Sequence, residues 1–242
     1  GQKLQIKDYQ ITLYPAGHIL GSAQVLIEKN KHRLVVTGDY KVGRDETCKN
    51  FKHIKCDTLI TEATFGLPIF QHPNPKEEIK KLINSVKKNK SSCHIIGAYA
   101  LGKAQRVMNL LRQNNYLDTI YIHGSLEKLC NYYKSQKINI GLFEKVDSKD
   151  KSFYEGKIII APPSALKDRW SRRFPDPIIC MASGWMTVKQ RAKQRGIELP
   201  LIISDHSDWN ELLSTIKKSK AKNILVTHGQ EDALVYYCKQ NN

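Results

Sequence analysis

The sequence predicts an α/β fold class. Four short runs of β-branched and aliphatic residues end abruptly in a polar residue, in the stretches LVVTGD, TLITE, LIISDH and ILVTH. Because these runs are apolar throughout, they are typical of strands that are buried on both faces of a sheet. Segments with helical periodicity lie between several of the runs, and this alternation favours an α/β architecture.

The first predicted elements are a strand and, further along the chain, an amphipathic helix. We expect a strand over residues 10–14, in a segment rich in residues that favour strands. In residues 76–92 the apolar side chains recur at helical spacing, and the intervening lysines are expected to face solvent. These apolar residues are Ile79, Leu82, Ile83 and Val86.

A second helix is predicted to begin after Asp208. Asp208 and Glu211 have the spacing of a capping box. The apolar stripe that follows consists of Trp209, Leu212, Leu213 and Ile216. We therefore interpret Asp208 as an N-cap, which leaves His206 as the functional candidate in the stretch SDHSDW.

The four runs place Asp39, Glu62, His206 and His228 at predicted strand ends. In open α/β sheets, ligands bind just beyond the carboxyl ends of the strands. One such residue would more often be a turn former or a helix cap, but four together predict a shared active site. His18 lies in the small-residue loop PAGHILGSA, and considered alone it would be an ordinary loop histidine.

The composition favours a polyanionic partner. The formal net charge is +16, and basic proteins gain affinity for nucleic acids through counterion release. A Lys-rich surface that serves solubility is the alternative.

The six cysteines are widely spaced without a CxxC pair, so we expect free thiols. Without a long apolar span or a signal-peptide pattern, we expect a cytoplasmic protein and no membrane partner. The first residue is Gly rather than Met, so we expect that the sequence is part of a longer protein.

Two basic segments could contact a nucleic acid. Residues 162–177 place Arg172 and Arg173 close to Trp170, which suits a basic and aromatic binding surface or, equally, an ordinary charged surface helix. The stretch GAYALGKA has the glycine and lysine spacing of a P-loop, but an alanine stands where that motif needs Ser or Thr. Lys103 and Arg106 at the start of a helix could still contact a backbone phosphate.

Five residues and the stretches around them resemble, in order and spacing, the later motifs of a known family. They are His18 in PAGHILGSA, Asp39 in TGDY, Glu62 in TEATFG, His206 in SDHSDW and His228 in VTHG. This family is the β-CASP branch of nucleases with the metallo-β-lactamase fold. GAYALGKAQR, MASGWM and SDHSDW resemble in particular the bacterial DNA ligase-associated exonucleases. The resemblance covers essentially the whole chain. It implies an αββα sandwich, here N-terminally incomplete, formed by residues 1–67 and 199–242, with an inserted α/β β-CASP cap at residues 68–198.

The resemblance also implies a role for each residue of the set. His18 would bind a first metal ion, Asp39 would bridge two ions and His228 would bind the second. His206 would protonate the leaving oxygen or steady the scissile phosphate. Glu62 would hydrogen-bond to His206 and set its tautomer. Chemistry agrees, since two divalent ions can activate water and neutralise phosphate charge.

The implied cofactors are two divalent metal ions, with zinc preferred and manganese as the alternative. The implied activity is an exonuclease in DNA repair that acts on DNA, with RNA as the alternative substrate. An ATP-dependent DNA ligase and a helicase are partners by resemblance alone. The residues expected to bind substrate are Ser183, Gly184, Lys103, Arg106, Arg172 and Arg173.

One expected motif does not occur in the sequence. The family takes most of its metal ligands from an H-x-H-x-D-H motif ahead of the position of His18, and no such motif occurs here. Three expected ligands remain, whereas two ions need about four or five donors each. For the sequence as it stands we therefore expect weak or no metal binding, little or no hydrolysis and exposed apolar surface. A nucleic-acid-binding module without catalysis is the alternative function.

Overall fold

A computed structural model describes residues 3–147, 150–174 and 176–241. The chain divides into two compact units, which we call unit 1 and unit 2. Unit 1 consists of the described residues of Gly1–Gln71 and Asp205–Asn242, and unit 2 of those of His72–Ser204.

The six cysteines are free thiols, as predicted. Within the described ranges, every helix is too short or too polar to cross a membrane.

The described residues form five consecutive strands, after which strands and helices alternate. The strands are β1 (Lys3–Ile6), β2 (Tyr9–Pro15), β3 (Ala23–Lys29), β4 (His32–Val36), β5 (Thr58–Ala63), β6 (His94–Gly97), β7 (Ile120–Ile122), β8 (Phe143–Lys145), β9 (Ile158–Ala161), β10 (Ile178–Ala182), β11 (Leu199–Leu201) and β12 (Asn223–Gly229). The α-helices are α1 (Pro75–Lys88), α2 (Lys103–Gln113), α3 (Glu127–Ser135), α4 (Lys189–Gln194), α5 (Trp209–Ser219) and α6 (Glu231–Gln240). Short 3-10 helices occupy Gly124–Leu126, Lys151–Tyr154, Pro163–Lys167, Ser171–Arg173 and Gly184–Thr187. The predicted α/β class is confirmed.

Unit 1 is built on a six-stranded sheet with the order β1-β2-β3-β4-β5-β12. The strands β1 to β4 pair in antiparallel fashion, whereas β4, β5 and β12 run parallel. The predicted strand at residues 10–14 lies within β2, and three of the four apolar runs form β4, β5 and β12. Helices α5 and α6 contribute Leu212 and Leu234 to a core cluster with Tyr40 and Ala63.

The two faces of this sheet are buried to different degrees. Leu26, Val35 and Leu59 are at most 2% exposed and pack in one cluster with residues of α5. Next to them in sequence, Leu34 and Val36 are only partly buried, and Leu225 of β12 is 53% exposed. The prediction that these runs are buried on both faces is therefore wrong for β4 and β12, because in the described part of unit 1 the helices pack against one face. Exposed apolar surface was expected, and Leu4 and Ile6 of β1 are also exposed.

The fourth run, LIISDH, does not extend the sheet of unit 1. Its first residue ends β11, which pairs with β10 in the sheet of unit 2. The boundary between the units falls after Ser204, and His206 lies in the loop that leads into α5. The prediction of a strand that ends at His206 is thus wrong, because the chain leaves β11 at Leu201 to reach α5.

Both predicted helices are present. Asp208 is the N-cap of α5, and its Oδ1 accepts a hydrogen bond from the Glu211 N–H at 3.0 Å. The helix predicted at residues 76–92 is α1, which ends earlier, at Lys88. At its start, the side chain of Asn74 accepts a hydrogen bond from the Lys76 N–H, which satisfies one of the amides that a helix leaves unpaired.

Unit 2 is built on a second six-stranded sheet with the order β11-β10-β6-β9-β7-β8. Every pair of neighbouring strands in this sheet, over the described residues, is parallel. The carboxyl ends of these strands therefore lie along one edge of the sheet. The segments that follow β6, β9 and β10 contain Lys103, Arg172 and Ser183, three of the predicted substrate contacts.

The loop that carries His18 depends on a glycine. Gly17 has a φ of +73°, and a Cβ at this position would lie 2.3 Å from the backbone oxygen of Lys41. The close approach matters because the Lys41 N–H also donates to the Ala16 carbonyl at 3.1 Å. The segment after β4 is thereby held against the β2–β3 loop.

We predict that Gly17→Ala destabilises the protein more than Gly21→Ala. Both glycines have positive φ, but a Cβ at Gly21 would meet nothing within 4 Å. Both substitutions therefore carry the left-handed backbone penalty, and Gly17→Ala adds a steric clash of roughly 1–3 kcal/mol. Urea denaturation measures the difference in the free energy of unfolding. Equal losses in the two variants would contradict the steric clash inferred at Gly17.

His94 is a buried histidine in the middle of unit 2. It is 0% exposed in the central part of the sheet, on β6. Its Nε2 lies 2.8 Å from the Ser85 Oγ, and its Nδ1 has no hydrogen-bond partner among the described residues. Burial lowers the pKa of His94 to about 4, because desolvation penalises the charged imidazolium.

We predict that His94 makes the stability of the protein fall as the pH is lowered. The unfolded chain takes up this proton near pH 6.5, whereas the folded chain does so only near pH 4. Stability is therefore unaffected by His94 above pH 6.5 and declines between pH 6.5 and pH 4, by up to about 3 kcal/mol. Denaturation of the wild type and of His94→Gln at pH 7 and pH 4.5 measures this, and the variant should lack the decline. Titration of the His94 ring near pH 6.5 in NMR spectra would refute the assignment.

Candidate active site

Five predicted polar side chains come together in unit 1. His18 lies in the β2–β3 loop, Asp39 follows β4, Glu62 lies near the end of β5, His206 precedes α5 and His228 lies near the end of β12. Each of them approaches at least one other member of the set within 5 Å. The structure therefore gathers residues that are up to 210 positions apart, from His18 to His228, into one site.

Asp39 lies between two histidines. Its Oδ2 is 3.9 Å from the Nε2 of His18, and its Oδ1 is 3.8 Å from the Nε2 of His228. These separations are too long for hydrogen bonds, so the groups face one another across a gap. Ligand atoms of His18, Asp39 and His206 all lie within 4.8 Å of one another. Imidazole and carboxylate donors in such a group fit a divalent ion of the zinc or manganese type.

The hydrogen bonding of His18 fixes which of its nitrogens can bind a metal. The Nδ1 is 2.8 Å from the backbone carbonyl of Asp205, and because a carbonyl only accepts, Nδ1 carries the hydrogen. In the neutral ring the lone pair is then on Nε2, the nitrogen that faces Asp39. A backbone carbonyl behind a metal-binding histidine commonly has this orienting role. The Ser22 Oγ accepts from the His18 N–H at 3.1 Å and fixes the backbone of the loop.

Glu62 is the buried acid of the site and is 2% exposed. Its Oε1 accepts from the Tyr40 N–H at 2.8 Å, and its Oε2 accepts from the Thr64 N–H at 3.3 Å and from the Thr64 hydroxyl. Burial raises the pKa of Glu62, but the hydrogen bond and charge of His206, together with these donors, outweigh it, so the pKa is lowered. Glu62 is therefore held as a carboxylate.

His206 is paired with that carboxylate. Its Nδ1 lies 3.0 Å from the Glu62 Oε2, and its ring centroid is 4.6 Å from that of His18. Burial lowers the pKa of His206, but the hydrogen bond and the charge of Glu62 raise it more, so the pKa is raised overall. With Nδ1 engaged by Glu62, Nε2 remains for a ligand, either as a lone pair for a metal or as an N–H for a substrate oxygen.

A backbone irregularity positions His228. The pairing of β12 with β5 shifts register between Thr227 and Gly229, and His228 has a φ of +57°. A Cβ at Gly229 would lie 2.1 Å from the backbone oxygen of Ala63, so this step of the bulge needs glycine. Bulges occur next to active sites because they redirect a side chain. Here the bulge leaves the His228 side chain 68% exposed, facing Asp39.

Two further groups of the site were missed by the sequence analysis. The Thr64 hydroxyl lies 3.3 Å from the His206 Nδ1, besides donating to Glu62. The backbone carbonyl of Asp205 orients His18. Thr64 lies in the quoted stretch TEATFG, two residues after Glu62, and that spacing was the available signal. A backbone carbonyl gives no signal in a sequence.

The predicted substrate contacts all belong to unit 2, whereas the five polar residues belong to unit 1. Lys103 is 2% exposed, and its Nζ donates to the Ile203 carbonyl at 3.0 Å. Arg106 is also buried. Ser183 and Gly184 follow β10 and are buried as well, and the Ser183 Oγ accepts from the Trp185 N–H at 3.3 Å.

Arg172 and Arg173 are exposed. They belong to the 3-10 helix Ser171–Arg173 rather than to an α-helix. The Arg173 Nε donates to the Trp170 carbonyl at 3.1 Å, and the guanidinium carbon lies 5.7 Å from the centre of the Trp170 ring. Trp170 packs partly buried against the core of unit 2. Residues 162–174 thus place cations at the surface, backed by an aromatic ring.

The chain is similar to several known proteins. A family model described as the Zn-dependent metallo-hydrolase RNA specificity domain matches residues 200–240, the segment that contains His206 and His228. A probable DNA ligase from Opitutus terrae is 27% identical over 240 residues, which cover 95% of this chain and 22% of that protein. The endoribonuclease ysh-1 of Neurospora crassa is 34% identical over 134 residues, which cover 54% of this chain and 15% of that protein. The chain thus spans less than a quarter of the length of either relative.

A solved structure supports the fold. The crystal structure of a protein of unknown function from Enterococcus faecalis matches with a TM-score of 0.59 at 10% identity, and the match covers 94% of this chain and 60% of the other. At this identity the likeness concerns the fold alone. The matched domain and the named relatives support a metallo-β-lactamase/β-CASP nuclease family for this chain.

Proposed function

We propose that this protein hydrolyses phosphodiester bonds of nucleic acids in a reaction that depends on divalent metal, with unit 1 as the catalytic domain and unit 2 as the inserted cap. The observation that carries the proposal is the group of His18, Asp39 and His206, whose ligand atoms lie within 4.8 Å of one another. Glu62 behind His206 adds the buried acid that an acid–base histidine needs. The family assignment supports a metallo-hydrolase.

We assign the metal ligands to three residues. His18 through Nε2, Asp39 through both carboxylate oxygens and His228 through Nε2 would hold divalent ions, with Asp39 as the bridging ligand. We propose two ions, zinc preferred and manganese as the alternative. When bound, such ions neutralise charge on the phosphate and lower the pKa of water, so that hydroxide is available at neutral pH.

His206 is assigned as the general acid. Its Nδ1 is held by Glu62 at 3.0 Å, which orients the ring and stabilises the imidazolium. The Nε2–H would then donate its proton to the leaving oxygen as the P–O bond breaks and the oxygen of hydroxide bonds to phosphorus. The raised pKa of His206 increases the protonated fraction near neutral pH, which suits this role. The competing role, a third metal ligand, is separated by the experiment below.

DNA is the proposed substrate, and the activity is an exonuclease in DNA repair. The similarity to a probable DNA ligase, which extends over 95% of this chain, supports DNA and an association with a ligase. A helicase partner is proposed on the resemblance of the motifs alone, and a cytoplasmic location on the pattern of the sequence. RNA is the second candidate, since the family model over residues 200–240 is described as an RNA specificity domain and one relative is named an endoribonuclease. We propose Arg172, Arg173, Ser183 and Gly184 as phosphate contacts.

Lys103 is given a structural role instead of the phosphate contact first expected. The Lys103 Nζ is buried and donates to the Ile203 carbonyl, so a phosphate would have to displace a protein contact. Arg106 is 7% exposed, as Ser183 is, so burial does not exclude it and it stays a proposed phosphate contact. Exposed Arg172 and Arg173 need no such rearrangement.

The activity is tested with the protein expressed from its complete reading frame. End-labelled single-stranded DNA and RNA of one sequence are incubated with Mn²⁺ or Zn²⁺, and the products are separated by length. We expect stepwise shortening of DNA that stops on addition of EDTA and resumes with excess metal. Salt-sensitive binding without cleavage under every metal condition would instead identify a nucleic-acid-binding module.

We predict that Asp39→Ala lowers the affinity for Mn²⁺ or Zn²⁺ roughly tenfold or more, since even outer-shell partners of a metal site contribute that much. The measurement is calorimetric titration of the metal. Asp8→Ala is the matched control, because Asp8 is an exposed acid paired with Lys29 at 2.7 Å. Equal affinities of the Asp39→Ala and Asp8→Ala variants would remove Asp39 from the metal site.

We predict that His206→Ala lowers the rate of cleavage about 10²- to 10⁴-fold and leaves the metal affinity within about threefold. A general acid contributes to the rate and not to metal binding, whereas a ligand contributes to both. Single-turnover cleavage at saturating metal, together with the same calorimetric titration, distinguishes the two. A metal affinity that falls as far as in Asp39→Ala would reassign His206 as a ligand.

A further inference from the structure

The loop between β6 and α2 in unit 2, residues 98–102, is fixed by backbone contacts. The Ala98 N–H donates to the Ala161 carbonyl at 2.9 Å, which ties the start of the loop to β9. The Ala104 N–H donates to the Tyr99 carbonyl at 3.0 Å, which ties the loop to the first turn of the helix. The backbone of Tyr99 is therefore held from both sides.

A buried glutamine completes this scaffold. Gln105 is 0% exposed, and its Oε1 accepts from the Gly102 N–H at 2.8 Å. Its Nε2 donates to the Ala100 carbonyl at 2.9 Å. One side chain thus satisfies a donor and an acceptor of the loop, and the loop needs no solvent contact for its shape.

The side chains of this loop that face solvent are apolar. Tyr99 is 60% exposed and Leu101 is 45% exposed, whereas Lys103 and Gln105 point inward. A large aromatic ring that is exposed on a fixed loop gains little from packing in the free protein. The backbone that carries the ring is ordered in advance, so a planar partner would bind without the entropy loss of arranging the loop.

The surroundings of Tyr99 favour a planar ligand that carries negative charge. The loop leaves the carboxyl end of β6, the edge where ligands bind in parallel sheets. β9 is the neighbouring strand, with Gly97 paired to Ala161, and the segment that follows β9 carries the exposed cations Arg172 and Arg173. An exposed ring and exposed cations on segments that follow neighbouring strands suit a single-strand binding surface, in which bases stack and phosphates are neutralised.

We propose that Tyr99 is a stacking platform for an unpaired nucleobase of the substrate strand. The inference deepens the proposed function, because it rests on nucleic acid being the substrate, and it restricts that substrate to one with at least one unstacked base. Tyr99 holds the base and has no part in the chemical step. Because stacking tolerates every base, Tyr99 contributes affinity for single strands rather than sequence preference.

The test is binding in EDTA, where no hydrolysis occurs and the failure of the proposed activity cannot affect the result. A fluorescent oligothymidylate and an abasic oligomer with the same phosphate backbone are titrated with the wild type and with Tyr99→Ala. We expect Tyr99→Ala to weaken oligothymidylate binding about five- to hundredfold and to leave abasic binding within twofold. Tyr99→Phe, which keeps the ring, should bind as the wild type does.

Tyr132 provides the matched control. It is an exposed tyrosine of the same unit, 55% exposed on α3, and Tyr132→Ala should leave both affinities unchanged. Thermal unfolding of each variant checks the fold, which the loss of a mostly exposed ring should not disturb. Unchanged oligothymidylate binding in Tyr99→Ala, an equal loss on the abasic oligomer, or an equal loss in Tyr132→Ala would each overturn the inference. Absence of cleavage with base-dependent binding intact would refute the proposed activity and leave the stacking site standing.

Discussion

The burial of one carboxylate organises the site. Glu62 is 2% exposed, and a buried charge is tolerated only where it is paired and hydrogen-bonded. Its partners come from three separate segments: the Tyr40 N–H after β4, Thr64 after β5, and His206 ahead of α5. Satisfying this charge therefore fixes the backbone of Tyr40, the residue that follows Asp39, and the ring of His206. Removal of any partner would leave part of a buried charge uncompensated, so the geometry of the site and the stability of unit 1 are coupled.

Two backbone devices bring the remaining histidines to Asp39. Gly17 allows the β2–β3 loop to lie against the backbone oxygen of Lys41, and the bulge at Thr227–Gly229 turns His228 toward the carboxylate. Both devices use positive φ, the region that L-residues other than glycine seldom adopt. His228 itself has a φ of +57°, so its position carries a conformational cost. Strain of this kind persists at functional sites where the surrounding structure determines it.

In unit 2, the loop that follows β6 buries its polar side chains and exposes its large apolar ones. In the stretch GAYALGKAQ, the side chains of Lys103 and Gln105 are buried, while Tyr99 and Leu101 face solvent. Gln105 holds the loop, and Lys103 donates to the Ile203 carbonyl. This reverses the usual arrangement of a surface loop, and it is possible because the buried polar groups find backbone partners. Rigid support for an exposed ring is what a stacking surface requires, whereas exposed Arg172 and Arg173 supply the charge.

His18 joined the candidate site only through the family resemblance. The sequence by itself determined the α/β class, the strands β2, β4, β5 and β12, the helix α1, the Asp208 cap and the candidate residues Asp39, Glu62, His206 and His228. These follow from local chemistry, since periodicity, caps and strand-end residues act within a few positions. The tertiary structure decided that LIISDH leaves the sheet of unit 2 after Leu201, that β4 and β12 are covered on one face, that Lys103 is buried, and that Thr64 and the Asp205 carbonyl lie at the candidate site. A local pattern cannot specify these features, because strand partners, covered faces and side-chain directions are set by contacts between residues far apart in the chain.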